Sequence, residues 1–319
     1  MRDIQVRDIC VIGGNRYFGK RLIDRLLNSG DRVTVINRGS SPPPAGVTHL
    51  VADRDDEESL RAALGSRTFD VVFDQVCYTP RQADIARRVF AGRTRRYVMT
   101  STVEVYEYEH SATPVREHAV DPLTVAVDLT LPWDDANFRE EHYGEGKRQA
   151  EAVFAAGSAV QAGSAVQAGP AFPYVSVRVA HVLGGDDDFT GRVDHYAERI
   201  EAGEPIAVPA ANQPATYVHV EEIADFLAWV GGQEFNGPVN ANAYGPLTTA
   251  DICAAIEHEI GGRAEFLPVE VGEVSPFSFS RSYGMDNARA AELGYVFRHS
   301  SEWLRQAVAQ TLAARKQVR

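Results

Sequence analysis

The 319-residue chain predicts an α/β protein: a doubly wound parallel sheet of the Rossmann type, with a smaller C-terminal substrate lobe. Three observations predict it. Apolar runs of strand length alternate with stretches of helix length from residue 8 to residue 101, and such alternation builds a parallel sheet with right-handed crossovers and helices on both faces. The first apolar run leads directly into GGNRYFG, a turn that joins a strand to a helix. Later, Tyr143 and Lys147 stand four residues apart in HYGEGKRQAEAVF, which is neighbouring places on one face of a helix.

The elements follow in order. DICVIG (8–13) reads as the first strand, and KRLIDRLLNSG as a helix stopping at Gly30. VTVIN (33–37), a turn through SSPPP, and THLVA (48–52) give the next two strands. DDEESLRAAL opens with acidic residues, which favour a helix N-terminus. FDVVFDQV (69–76), QADIARRVFAG and RRYVMTS (95–101) read as strand, helix and strand. Residues 103–138 are polar and proline-containing; a long irregular insert in a compact domain is usually functional, so this one is expected at a substrate mouth. SAVQAG occurs twice in tandem within 158–169 and reads as a duplication lengthening a surface connection or a helix end, with no chemistry. YVSVRVAHVLG (174–184) returns to strand, GRVDHYAERIEAG to helix, ATYVHV (215–220) to strand and EEIADFLAWV to helix. From about residue 246 the chain turns to a mixed lobe of LTTADICAAIEHEIG, FLPVEV and a helix from SSEWLRQAVAQTLAARK. The dinucleotide-binding domain is expected over 1–178 and 214–245, and the substrate lobe over 179–213 and 246–319.

Apolar residues make up 44% of the chain, enough for a large core, and the net charge is −12. That balance argues against nucleic acid, which needs a basic stripe. No stretch approaches the roughly 20 apolar residues of a spanning helix, and the apolar run of the charged N-terminus reads as too short for a signal peptide. Neither a membrane nor a nucleic-acid partner is expected. The three cysteines, Cys10, Cys77 and Cys253, are scattered, which fits a reducing cytoplasm. Cys77 follows a strand that should end near a cofactor. HExxH, GxxxxGK[ST] and GxSxG are all missing, and the spacing of His110, His118 and His142 matches no common metal site.

In the turn Gly13-Gly14-Asn15-Arg16-Tyr17-Phe18-Gly19, the first two glycines let the backbone approach a pyrophosphate, and Gly19 lets helix and strand pack closely. The helix N-terminus supplies N–H groups for phosphates. Asn37 ends the second strand at the distance expected of the ribose-reading residue, with Arg38 next. An arginine pair, Arg16 and Arg38, suits a 2′-phosphate and leans the cofactor towards NADP over NAD. Alternatively, Arg38 stacks on the adenine and Arg16 is a solvated turn residue. Asp53 is placed to meet the adenine or to cap the following helix, and Val76 ends the strand pointing at the cofactor. Tyr143 would carry a proton, Lys147 would favour its phenolate and hold the cofactor ribose, and Thr102 would orient a substrate oxygen.

GGNRYFG, TSTVEVY and YGEGK in this order, with SVRVAHVLG and YVHVEEIADF downstream, resemble the extended short-chain dehydrogenase/reductase superfamily, of the NAD-dependent epimerase/dehydratase type. Arg16, where that family usually has glycine, resembles an atypical branch that includes chloroplast stem-loop-binding proteins. The resemblance implies an NAD(P)-dependent oxidoreductase or epimerase acting on a secondary alcohol or ketone of a small, sugar-like substrate. It also implies a homodimer. STVEVY is similar to the STDEVY of nucleotide-sugar dehydratases: Val103 replaces the Asp and Glu104 keeps the Glu, so dehydration with Glu104 as base is an alternative, and a non-catalytic NADP-binding sensor or RNA-associated protein is another. Ala215-Thr216 stands where nucleotide-sugar relatives carry an arginine, which leaves Arg178, His181, Arg192, Arg281 and Arg289 as anion ligands to consider.

Overall fold

The computed structural model describes residues 6–109, 111, 114–156 and 172–318. His110 and the duplicated SAVQAG lie outside the described residues. The alternating half runs β1 (Asp8–Ile12), α1 (Tyr17–Asn28), β2 (Arg32–Asn37), β3 (Thr48–Val51), α2 (Glu57–Leu64), β4 (Phe69–Asp74), α3 (Pro80–Phe90) and β5 (Thr94–Thr102). There follow α4 (Ala136–Glu141), α5 (Tyr143–Ala155), β6 (Tyr174–Val179), β7 (His181–Leu183), α6 (Arg192–Ala202), β8 (Ile206–Pro209), β9 (Tyr217–His219) and α7 (Val220–Val230). The chain ends with β10 (Gly237–Ala241), α8 (Thr249–Ile260), β11 (Phe266–Val269), α9 (Ala288–Glu292) and α10 (Leu304–Val318).

The large sheet has the order β10-β6-β5-β4-β1-β2-β3, and β1 pairs in parallel with both β2 and β4. Strand order reverses between β1 and β4, the place where ligands sit at the carboxyl ends of such sheets. Ile9, Cys10, Val11 and Ile12 are all buried, because helices cover both faces; hence the unbroken apolar run. Burying each such side chain is worth roughly 1.5–3 kcal/mol. Leu22, Ile23 and Leu26 supply the buried stripe of α1. Thr79 caps α3 by accepting from the Gln82 N–H, and Pro80 fills the first helical position, where no N–H is needed.

Two compact units divide the chain. Unit 1 is Met1–Glu107, Glu117–Arg178 and Ala224–Val239; unit 2 is Tyr108–Arg116, Val179–Ile223 and Asn240–Arg319. Residues 108–116, 214–223 and 240–245, expected with the dinucleotide-binding domain, fall in unit 2, where β9 pairs with β7 in a small sheet of its own. YVSVRVAHVLG is correspondingly two strands, broken at Ala180, whose N–H bonds to the Ala241 carbonyl. β8 and β10 have no forewarning in the sequence; each is short and interrupted by Pro or Gly. The 103–138 insert holds local structure, with 3-10 turns at Val103–Tyr106 and Glu117–Ala119 besides α4. Unit 2 has its own core, in which Val193, Tyr196 and Ile200 of α6 join Ile252 and Ile256 of α8 and Val308 of α10.

Candidate active site

The glycine turn is defined by steric exclusion. Gly13 and Gly14 both sit at φ +79, a region that side chains rarely adopt. A Cβ on Gly13 would stand 2.8 Å from Val76 Cγ1, and one on Gly14 would stand 2.9 Å from Val11 Cγ1. On Gly19 it would meet the Gly14 Cα at 2.7 Å. The Gly13 N–H donates to the Ile36 carbonyl at 2.8 Å, tying the turn to β2. Arg16 occupies the N-cap of α1 without a side-chain cap bond, and no acidic residue stands in the first turn, so the helix end keeps its positive potential. Tyr17 is buried with φ +52, while Phe18 is half-buried, its ring tilted against that of Tyr17 with centres 6.1 Å apart.

Buried polar atoms ring the turn. Asn15 Oδ1, Asn37 Nδ2 and both amide atoms of Gln75 lack a hydrogen-bond partner among the described residues. Such groups are normally satisfied; a bound dinucleotide, with its many donors and acceptors, fits them. Asn37 Oδ1 is already committed, accepting from the Gly39 N–H at 2.7 Å and facing His49 Nε2 at 2.9 Å. Arg16 and Arg38 are both exposed. Asp53 is exposed and its Oδ1 accepts from the Asp55 N–H; the cap of α2 is Asp56, which accepts from the N–H groups of Glu58 and Ser59.

Tyr143 is the first residue of α5 and is half-buried; Lys147, one turn on, is 1% exposed. The Lys147 Nζ donates to the Thr100 carbonyl at 2.7 Å and lies 4.6 Å from the Tyr78 ring centre and 5.8 Å from that of Tyr143. Burial brings the ammonium down to about 8, while Cys77 and Asp74 pull the other way. The two glycines of YGEGK permit this approach. A Cβ on Gly144 would stand 2.5 Å from the Glu104 carbonyl oxygen, and one on Gly146 would stand 2.5 Å from that of Tyr78. Thr102 ends β5, and its Oγ1 accepts from the Glu104 N–H at 3.2 Å, capping the 3-10 turn. The 3-10 turn that Thr102 caps, which carries half-buried Glu104, packs on α5, where the Glu104 carbonyl abuts Gly144, the residue after Tyr143. Cys77 is fully buried, and burial pushes its thiol up to about 11, so it is a core thiol. Trp133 anchors the insert: it is buried and its Nε1 donates to the Asp128 carbonyl.

Arg178 is not an anion ligand. It is fully buried, and its guanidinium donates to Glu151, the Tyr106 hydroxyl and the carbonyls of Glu117 and Val120. It holds the insert to α5. In unit 2, His181 stands among rings, stacked on Phe279 at 5.0 Å with Tyr217, Phe277 and Tyr283 within 5.8 Å. The Arg281 guanidinium lies 3.6 Å from the Tyr283 ring centre and that of Arg192 lies 5.3 Å from Phe277's. His181 Nε2 and the Tyr217 hydroxyl are buried with no hydrogen-bond partner among the described residues, and Phe277 has φ +58. Sequence reasoning missed Tyr78, Gln75, His49 and this cluster of rings. Only the paired glycines at 144 and 146 carried a readable signal, that of close backbone approach.

Comparison with known proteins adds to this geometry. The family model for the NAD dependent epimerase/dehydratase family matches residues 9–242. Among solved structures, the UDP-glucose 4-epimerase of Thermotoga maritima with UDP-glucose is similar with a TM-score of 0.71 and 19% identity, over 98% of this chain and 100% of that one. WbmG of Bordetella bronchiseptica, in complex with NAD, gives 0.72 and 17%, over 99% and 96%. At these identities the likeness carries the fold. A curated relative, chloroplast stem-loop binding protein of 41 kDa b from Arabidopsis thaliana, is 23% identical over 246 residues, 72% of this chain. The chain spans only 56% of that relative's length.

Proposed function

The chain belongs to the NAD-dependent epimerase/dehydratase family, and from that premise we propose that it interconverts a secondary alcohol and a ketone on a small, sugar-like substrate. The observation that carries the reading is a buried ammonium held one helical turn from a half-buried phenol. A phenol titrates near 10; a cation kept close in a low-dielectric setting favours its ionised form. Tyr143 then exchanges a proton with the substrate oxygen. Lys147, fixed by the Thr100 carbonyl, keeps two further N–H groups for the cofactor ribose. The Thr102 hydroxyl accepts from Glu104 and has its own proton to give to the substrate oxygen. The glycine turn and the α1 N-terminus would hold the pyrophosphate of a nicotinamide dinucleotide, which supplies hydride transfer when bound.

The neighbours crystallised with NAD and with UDP-glucose support a retained NAD and a nucleotide-linked sugar. The exposed guanidiniums of Arg16 and Arg38 instead favour NADP, and calorimetry with each dinucleotide on wild type and Arg38→Ala decides between them. Denaturing the purified protein and weighing any released dinucleotide separates internal recycling from reduction with exchangeable cofactor. Tyr143→Phe should bind the dinucleotide as wild type does and lose about 10²–10⁴-fold in turnover. Unchanged turnover would end the proposal. A second reading comes from the stem-loop binding relative; the charge of −12 works against it, and a gel shift with a stem-loop RNA at two salt concentrations tests it.

A further inference from the structure

Unit 1 buries an ion pair that the proposed reaction does not use. Asp74, the last residue of β4, is fully buried, and Arg54, between β3 and α2, is 8% exposed. Arg54 Nη2 donates to Asp74 Oδ2 at 2.6 Å, and the Tyr97 hydroxyl donates to the same oxygen at 2.6 Å. Buried pairs add little stability over well-packed apolar side chains, so this one calls for another reason. The main chain two residues on supplies it. Asp74 Oδ1 accepts from the Val76 N–H and Arg54 Nη1 donates to the Val76 carbonyl, each at 3.1 Å. Val76 is the residue whose Cγ1 leaves no room for a side chain at Gly13. Beyond it, Tyr78 rests its carbonyl against Gly146 and its ring against Lys147. The Tyr78 N–H donates to Gln82 Oε1, and the Gln82 carbonyl accepts from Arg54.

We infer that the Arg54–Asp74 pair is a positioning device: it fixes residues 76–78 between the glycine turn and the Tyr143/Lys147 helix, and its opposite charges balance beside the Lys147 ammonium. Only its bearing on cofactor and reaction rests on the proposed function; the geometry stands apart from it. The groups that face Lys147 are Asp74 and Cys77 at the end of β4, Arg54 from the β3–α2 loop, Glu151 on its own helix, the Thr100 carbonyl of β5, and the Tyr78 and Tyr143 rings. Asp74 holds the proton on Lys147 and Arg54 drives it off, so removing either charge should move Lys147 in opposite directions.

The chain has three lysines, Lys20, Lys147 and Lys316. A carbon-13 NMR titration of lysine-labelled protein therefore reads Lys147 directly, with Lys147→Arg as the assignment. In wild type it should titrate near 8. Asp74→Asn keeps the shape but leaves Arg54 uncompensated, and should lower that value by about one unit or more. Arg54→Met leaves Asp74 uncompensated and should raise it by about as much. A purely structural brace would move both the same way or neither. The charge-balanced Arg54→Met/Asp74→Leu protein guards against misfolding of the single variants. It should return Lys147 to near its wild-type value, yet bind NAD about tenfold or more weakly by calorimetry, because Val76 is no longer held. Shifts of one sign, or a double variant that binds NAD as wild type does, would overturn the inference. A wild-type protein that binds no dinucleotide would instead sink the proposed function, while the NMR titration still decides what the pair does.

Discussion

At the glycine turn of unit 1, shape comes from side chains that are missing; in the ring cluster of unit 2 it comes from side chains stacked on one another. Gly13, Gly14 and Gly19 let backbone approach backbone and Val76, and the polar groups offered there are main-chain N–H groups and neutral amides. Around His181 the same task falls to four aromatic rings and two guanidiniums. The first arrangement suits a constant ligand, since backbone geometry cannot vary much. The second can be retuned one side chain at a time, because each ring or guanidinium is a separate substitution.

The largest expected effect tests the steric half of that contrast. In Gly19→Ala the new methyl meets the Gly14 backbone, which has no flexible end to give way. Stability should fall by about 2–3 kcal/mol and dinucleotide affinity by about 100-fold, the equivalent of that strain. Gly191, before α6 in unit 2, has φ +66 but nothing within 4 Å of its Cβ position. Gly191→Ala should cost only about 1 kcal/mol, the left-handed penalty alone, and leave dinucleotide binding untouched. Equal losses in urea denaturation would dissolve the distinction between clash and backbone strain.

The next effect belongs to His181. Burial, then the charges of Arg192 and Arg281, bring its imidazole from 6.5 down to about 3. The folded protein thus keeps His181 neutral while the unfolded chain protonates it below about 6.5. The unfolded state binds more protons, so stability rises with pH across this window and falls as pH drops from about 6.5 towards 3. At pH 4 the loss from this one group is on the order of 3 kcal/mol. His181→Gln should flatten that part of the stability profile relative to wild type. An unchanged slope would mean that the ring is solvated and that the cluster is open.

How far the sequence reaches follows the same contrast. The glycine turn is legible because its spacing answers to backbone contacts that only glycine allows. Tyr143 and Lys147 are legible because helical periodicity alone brings them together. Arg54 and Asp74 are not, since a 20-residue separation becomes a contact only through the β3–α2–β4 crossover. Arg178 is one of five residues that the sequence offers as anion ligands to consider, and is instead consumed by Glu151 and three oxygens of the insert; nothing local reveals where a long side chain will find its partners. The rings around His181 come from β7, β9 and the segment before α9, and no periodicity joins them. β8 and β10 escape notice because strands of four or five residues containing Pro or Gly carry too little alternation.

The smallest effects compare two buried tyrosines, one in each region. The Tyr97 hydroxyl donates to Asp74 at 2.6 Å, and burial, then the neighbouring Asp74 charge, keep the phenol neutral and able to donate. Tyr97→Phe takes a hydrogen bond from a buried carboxylate and should cost about 1.5–3 kcal/mol. The Tyr217 hydroxyl, equally buried, has no hydrogen-bond partner among the described residues. Tyr217→Phe should therefore leave the protein as stable as before, or more stable by up to about 1 kcal/mol, since an unsatisfied polar group is costly to bury. Destabilisation of Tyr217→Phe by as much as Tyr97→Phe would show that its hydroxyl is satisfied within the fold, and the ring cluster would lose its claim to differ in kind from the braced core of unit 1.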